Sequence, residues 1–176
     1  MEKIDRLKCS LSAVTEQLLN QQVGMEGRSS AHYLAMASWC DVQGYKRAAE
    51  FLYHHAEEER THMLKLFRYI NDTGGHAMHP EITEIQHDFQ SFRQVFEQVL
   101  AHEVKVTRAI HQLVDHCLIC KDFTTFNFLQ WFVAEQLEEE TLARRAVELF
   151  DVIGEEGIGR YTIDKELGAL KEEDAK

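Results

Sequence analysis

The 176-residue chain is poor in the residues that interrupt helices, with one proline and nine glycines in all. Because these residues mark the turns between strands, their scarcity argues against a β-rich fold and favours an all-α fold. No uninterrupted apolar run approaches the roughly 20 residues that a membrane-spanning helix needs. Basic residues are also few: 19 Lys and Arg stand against 30 Asp and Glu, a net charge of −11. This balance argues against nucleic-acid and membrane partners and fits a protein that attracts cations.

Cysteine is equally scarce, with four residues at positions 9, 40, 117 and 120. Cys117 and Cys120 form a C-x-x-C, a spacing found in redox and zinc sites. The pair lies in a helical pattern without a second pair, so we interpret all four cysteines as packed or free thiols. The charged N-terminal stretch MEKIDRLKCS lacks the apolar segment of a signal peptide. We therefore expect a cytoplasmic protein.

Four long segments carry apolar residues at alternating three- and four-residue steps, the pattern of a helix that faces a core. The clearest stripe is the third, which reads Phe89, Phe92, Phe96, Val99, Glu103, Val106, Ile110, Leu113, Cys117, Cys120. Short breaks at 41–45 and 121–122 predict two helical hairpins, with Asp122 as an N-cap. The segment 72–87 is long enough to run the length of the bundle, so the second and third helices can be parallel.

These features predict one domain over residues 1–176. Its core is a four-helix bundle over about 11–152 with one long crossover, the ferritin-like arrangement of such bundles. A short fifth helix is expected at about 160–171, where Ile163, Leu167 and Leu170 fall at helical spacing. A helix this short is marginal alone, so its apolar face must dock, either on its own bundle or on a neighbouring subunit.

Each of the four predicted helices places one glutamate in its apolar stripe near mid-length. These residues are Glu26, Glu59, Glu103 and Glu139, accompanied by His62 and Gln136. The first stripe is the loosest, because either Met25 or Glu26 can point inwards. Buried unpaired carboxylates cost several kcal/mol each, and the stripes contain no matching set of Lys or Arg. Two divalent cations would balance four carboxylates, and oxygen ligands with one imidazole suit iron or manganese rather than structural zinc.

Every part of this pattern also has a simpler interpretation. Glu57 is expected to face water and Glu58 flanks the stripe, whereas Glu135, Glu138 and Glu140 can be ordinary solvated charges. Tyr33 can be a packed side chain with a satisfied hydroxyl. A dinuclear iron or manganese peroxidase, or a structural bundle with a vestigial site, would carry the same stripes. The coincidence of four inward carboxylates at comparable depth favours a dinuclear metal site.

Four stretches of the chain resemble bacterial non-haem ferritins, members of the ferritin-like di-iron family. They are AHYLAMASWC (31–40), HAEEERTHM (55–63), TFNFLQWFVAEQLEEE (125–140) and YTIDKELGAL (161–170). The resemblance implies a homo-oligomeric shell of 24 subunits that stores iron as mineral. It also implies that each bundle oxidises Fe(II) to Fe(III), with O2 or H2O2, at a di-iron ferroxidase centre.

By position, the resemblance assigns specific residues to this centre. Glu26, Glu59 and His62 would hold the first iron, and Glu59 would bridge to a second iron held by Glu103 and Glu139, with Gln136 nearby. It further implies a third iron site at Glu58, Glu135 and Glu138, with Glu139 shared. Tyr33 and Trp131 would lie beside the centre as electron donors. No haem is expected, because Gln136-x-x-Glu139 stands where a haem-binding relative would carry a second E-x-x-H.

Overall fold

The chain forms five α-helices in the computed structural model, which describes the backbone of residues 9–174 and the side chains of residues 9–170. The helices are α1 (Ala13–Gln43), α2 (Lys46–Asp72), α3 (Phe92–Cys120), α4 (Phe123–Ile153) and α5 (Gly159–Asp174). No strand forms within the described residues, so the predicted all-α fold is confirmed. None of these helices combines the length and apolar character needed to cross a membrane.

The helix ends follow local sequence signals. Ser12 and Ser91 cap α1 and α3, because each hydroxyl accepts a hydrogen bond from the backbone N–H three residues on. Asp122 caps α4 in the same way, as predicted, by accepting from the backbone N–H of Thr125 at 3.0 Å. Gly44 ends α1 with a φ of 91°, a left-handed conformation that glycine adopts without steric cost.

Contacts between helix ends establish the direction of each helix. The side chain of Thr15, at the start of α1, lies 3.2 Å from Nε2 of His116, near the end of α3. The hydroxyl of Tyr69, near the end of α2, lies 2.9 Å from that of Thr125, at the start of α4. Since α1 and α2 form an antiparallel hairpin, α2 and α3 run parallel. The predicted bundle with one long crossover is therefore confirmed.

Two details of the predicted pattern differ from the structure. The crossover occupies residues 73–91 and is longer than the predicted 72–87. Phe89, which the apolar stripe assigned to the third helix, is buried but lies in the crossover before α3 begins. Cys120, predicted to face the core, is exposed. It is the last residue of α3, where the turn into α4 leaves no helix to cover it. Cys117, one turn earlier, is fully buried.

The core consists of two apolar clusters with a polar layer between them. The cluster nearer α5 includes Cys40, Phe51, Phe96, Phe150 and Leu167. The cluster at the other end includes Val23, Leu66, Val106, Ile110 and Leu129. All the predicted inward carboxylates lie in sequence between these two sets, on every one of the four bundle helices. The polar layer is therefore enclosed by apolar packing above and below it.

The fifth helix docks on its own bundle. Ile163, Leu167 and Leu170 are buried against α2 and α4, as their spacing predicted. Asp164 adds a polar contact, because its Oδ1 accepts a hydrogen bond of 2.9 Å from the backbone N–H of Ala48. The N-cap position of α2 is Tyr45, which has no side-chain capping bond. Asp164 therefore satisfies a backbone donor at the start of α2 that the local sequence leaves open.

Candidate metal centre

Glu26, Glu59 and His62 form a three-residue group at the middle of the bundle. Each residue offers one ligand atom, and these atoms lie within 4.8 Å of one another. The three-residue spacing of Glu59 and His62 places both on one face of α2. Glu26 is 1% exposed whereas Met25 is only partly buried, so the loose phase of α1 resolves in favour of the carboxylate.

Two carboxylate oxygens in this group are buried without a hydrogen bond. Gln22 donates to Oε1 of Glu26 at 2.8 Å, which leaves Oε2 of Glu26 and Oε2 of Glu59 without a partner among the described residues. No Lys or Arg of that part of the chain forms an ion pair with either carboxylate. A buried polar atom without a partner costs about 1–3 kcal/mol. Two such oxygens beside an imidazole are suited to a bound cation.

Glu103 is held differently from the other inward carboxylates. Tyr33 donates its hydroxyl hydrogen to Oε1 of Glu103, and the Gln136 amide donates to Oε2 at 3.2 Å. Both oxygens of this fully buried side chain are therefore engaged. Because a carboxylate oxygen has more than one lone pair, these bonds orient Glu103 and still leave it able to bind a cation.

Glu139 belongs to a second three-residue group, with His62 and Glu135, whose ligand atoms also lie within 4.8 Å. His62 is therefore common to both groups in the described part of the chain, and neither includes Glu103. The sequence resemblance assigned His62 to the first iron alone. In the structure its ring lies close to carboxylates of both α1 and α4, and the assignment to the first iron stays a prediction.

A small acidic pocket of about 50 Å³ adjoins this second group between α2 and α4. Its lining includes the residues predicted for the third site, and the full set is His54, His55, Glu58, Glu135, Glu138, Glu139 and Leu142. Glu57 is exposed outside the pocket, as predicted.

His55 is the functional candidate that the sequence analysis missed. Its Nδ1 lies 3.2 Å from Oε2 of Glu58 and its Nε2 lies 3.8 Å from Oε2 of Glu139. The ring is 4% exposed. Because it lines the acidic pocket and also lies beside Glu139, it links the pocket to the centre. Its place in the stripe of α2, one turn before Glu59, was the available signal.

Two aromatic side chains flank the centre. Tyr33 packs edge-on against His55, with ring centroids 5.6 Å apart. Trp131 packs edge-on against His62 at 5.3 Å, and the ammonium of Lys65 lies 3.6 Å from the Trp131 ring centroid. Both aromatic residues that the resemblance indicated therefore contact a histidine of this region.

Burial controls the protonation of the centre. It raises the pKa of Glu26 to about 7 and the pKa of Glu139 to about 8, and it raises the pKa of Glu59 well above the ordinary range. It also raises the pKa of Glu103. Conversely, burial lowers the pKa of His62 to about 4, which keeps the ring neutral and able to bind a metal. A cation that enters the centre must therefore displace carboxyl protons.

Comparisons with known proteins agree on one family. A family model described as a ferritin-like domain matches residues 16–153. A probable bacterial non-heme ferritin-like protein of Haemophilus influenzae is 44% identical over 160 residues, which cover 91% of this chain and 97% of that protein. A bacterial non-heme ferritin of Campylobacter jejuni is 43% identical over 155 residues, which cover 88% and 93%.

Solved structures give the same result. An open pore ferritin from the hyperthermophilic archaeon Archaeoglobus fulgidus superposes with a TM-score of 0.87 and is 39% identical, with 91% of this chain and 98% of that chain covered. The resemblance noted in the sequence is therefore confirmed over most of the chain. With its five helices, its enclosed carboxylates and these relatives, the chain belongs to the ferritin family.

Proposed function

We propose that this chain is an iron-storage ferritin that oxidises Fe(II) to Fe(III) at an intra-subunit di-iron centre and stores it as mineral in a 24-subunit shell. The observation that carries the proposal is the pair of buried carboxylate oxygens on Glu26 and Glu59 that have no hydrogen-bond partner beside His62. Oxygen ligands with one imidazole suit iron. The ferritin relatives favour iron over manganese.

The first Fe(II) binds to Glu26, Glu59 and His62. Gln22 holds one oxygen of Glu26, so the other is directed to the ion. Glu59 bridges to the second Fe(II), which Glu103 and Glu139 hold, with Gln136 nearby. Tyr33 and Gln136 keep Glu103 oriented during this binding. The two ions therefore have different ligands, and we expect different affinities.

Bound iron supplies the redox chemistry, with O2 or H2O2 as the oxidant. The chain supplies proton control, because the carboxyls of Glu26 and Glu139 hold protons until the ions displace them. Tyr33 and Trp131 are close enough to the centre's histidines to donate electrons. The acidic pocket at Glu58, Glu135 and Glu138 offers a third iron site on the way out of the bundle.

Exposed apolar side chains at both ends of the bundle support assembly. Ile119 and Phe123 are 74% and 65% exposed at one end, and Val152 and Ile158 are 79% and 75% exposed at the other. Surfaces of this kind are ordinarily covered by partner subunits. Cys40, Cys117 and Cys120 are free thiols, which supports a cytoplasmic location.

Aerobic addition of Fe(II) to metal-free protein tests the proposal, with Glu59→Gln and Glu57→Gln as a matched pair. Only Glu59 faces the centre, whereas Glu57 is exposed two residues earlier on the same helix. We expect wild type and Glu57→Gln to oxidise Fe(II) at equal rates, and Glu59→Gln to be slower by about tenfold or more. The readouts are stopped-flow absorbance and the size and iron content of the product.

Two results would contradict parts of this proposal. A small oligomer that stops near two or three irons per subunit would overturn storage and retain the dinuclear site. Equal oxidation rates in both variants would remove Glu59 from the centre.

A further inference from the structure

A second pocket, of about 110 Å³, lies between α1 and α3 and is separate from the acidic one. Its lining residues are His32, Tyr33, Met36, Gln98, Val99 and His102. Tyr33 forms the wall between this pocket and the carboxylates, because its hydroxyl donates to Glu103 on the inner side. The pocket contains none of the residues assigned to the three iron positions.

Potential ligands occur in this pocket at one-turn spacing on both helices. His32 and Met36 are four residues apart on α1, and Gln98 and His102 are four residues apart on α3, so each pair shares a helix face. The rings of His32 and His102 are neighbours, with centroids 6.0 Å apart and planes tilted by 50°. The two imidazoles and the thioether thus converge on one small volume.

The hydrogen bonding of His102 prepares it to bind a metal. The Ser29 hydroxyl donates to the backbone oxygen of Met25 at 3.1 Å, so the 2.6 Å contact between Ser29 Oγ and Nε2 of His102 is donated by the ring N–H. In the neutral ring this leaves a lone pair on Nδ1, which has no hydrogen-bond partner in the described part of the chain. A metal-binding histidine characteristically donates its other N–H in this way.

His32 is also uncommitted. It forms no hydrogen bond or ion pair within residues 9–170, and its ring packs against that of His102. Met36 is 5% exposed, so its sulfur is shielded from bulk water. Two imidazoles with one thioether form a softer ligand set than the carboxylates of the iron centre.

Ligand type and local charge together select the ion. Thioether sulfur favours Cu(I) among the first-row metals. The positive charges of Arg28 and Lys105 act on both imidazoles, which disfavours a divalent ion more than a monovalent one. We propose that His32, Met36 and His102 form a binding site for Cu(I), separated from the iron centre by Tyr33.

The test is an anaerobic Cu(I) titration of the full-length, metal-free protein against the chromophoric chelator bathocuproine disulfonate. Thiols also bind Cu(I), so the host protein carries Cys9→Ser and Cys120→Ser, whereas Cys40 and Cys117 are fully buried and retained. Into this host we place Met36→Leu, which keeps the volume and removes the sulfur. His32→Leu is the second variant, and His111→Leu, exposed elsewhere on α3, is the control.

We expect the host and its His111→Leu variant to bind one Cu(I) per chain with equal affinity. Met36→Leu and His32→Leu should each weaken that binding about tenfold or more. Equal Cu(I) affinity in the host, Met36→Leu and His32→Leu would overturn the proposal. Met36→Leu should retain the Fe(II) oxidation rate of the host, so failure of the Cu(I) site and failure of the iron function are distinguishable.

Discussion

At the scale of single residues, Glu103 differs from the other inward carboxylates because both of its oxygens already accept hydrogen bonds. Burial raises the pKa of Glu103, and the bonds from Tyr33 and Gln136 oppose this rise. The Tyr33 hydroxyl keeps its own proton, since burial and the nearby carboxylates raise its pKa. Tyr33 therefore acts on the protonation of Glu103 even where it transfers no electron.

Tyr33→Phe removes this hydrogen bond without changing the shape of the ring. A hydrogen bond to a charged group is worth about 1.5–3 kcal/mol, so the pKa of Glu103 should rise by about one unit or more. We expect the midpoint of the pH profile for Fe(II) oxidation to move to higher pH by a similar amount. Stopped-flow rates between pH 6 and pH 8.5 give this midpoint, and Tyr53→Phe on the exposed face of α2 is the control.

The pH dependence of the change in rate separates two roles of Tyr33, which are electron donation and the hydrogen bond to Glu103. Electron donation alone predicts a rate that falls by the same factor at every pH. A Tyr33→Phe profile that coincides with wild type would exclude both roles.

The inward carboxylates were predictable from helical phase, whereas their hydrogen bonds were not. Apolar spacing placed Glu59, Glu103 and Glu139 in the core from sequence alone. The bond from Gln22 to Glu26 and the position of His55 depend on rotamers and on the separation of neighbouring helices. Helical periodicity specifies neither rotamers nor helix separations. It therefore left Met25 and Glu26 as alternatives, and it placed His55 in the stripe of α2 without showing which carboxylates the ring contacts.

At the scale of elements, the crossover is a packed part of the structure. Pro80 lies against α1 at Gly24 and Gly27, and the backbone N–H of Met78 donates to Oδ1 of Asn20 at 2.8 Å. The sequence predicted that this segment can run the length of the bundle, because the distance that an extended segment covers depends only on its number of residues. Its path over α1 was not predictable, because an irregular segment has no repeating pattern that indicates a contact face.

The two glycines of α1 should respond oppositely to alanine. A Cβ at Gly27 would lie 2.8 Å from Cγ of Pro80 and 3.0 Å from Sδ of Met63, whereas a Cβ at Gly24 would lie 3.6 Å from Pro80. Gly24→Ala should therefore stabilise the protein by up to about 1 kcal/mol through helix propensity. Gly27→Ala should destabilise it by about 1–3 kcal/mol through overpacking. The apparent Tm of metal-free protein measures both changes, and an equal rise in both variants would mean that Pro80 does not pack tightly on α1.

At the scale of the whole molecule, the polar layer makes the stability of the metal-free protein depend on pH. A buried carboxyl whose folded pKa exceeds its unfolded value of about 4.5 stabilises the fold at low pH. That contribution is lost as pH rises to the folded pKa, which is about 7 for Glu26 and about 8 for Glu139. His62 and His102 act in the opposite sense, with pKa values lowered from 6.5 to about 4.

The effect of His62 and His102 is complete above pH 6.5. From there to pH 8 the slope comes from the groups with raised pKa values, which are the buried carboxyls and His55, whose pKa rises beside Glu58 and Glu139. We expect the metal-free protein to lose about 1.4 kcal/mol per pH unit in this window for each carboxyl still protonated in the folded state. Denaturant unfolding between pH 6.5 and pH 8 measures this slope. Glu139→Gln should make the slope shallower and Glu57→Gln should not. Stability that rises with pH in this window would contradict the raised pKa values.

The contact between Asp164 and the start of α2 has a consequence for biosynthesis. The helix that carries Glu59 and His62 receives this capping bond from a residue more than one hundred positions later in the chain. During translation, α2 therefore leaves the ribosome long before the partner for its first turn has been made. A nascent chain that stalls before residue 164 contains all the proposed iron ligands. However, the helix that positions two of them still lacks the hydrogen bond at its first turn. Completion of the iron site should thus follow release of the finished chain.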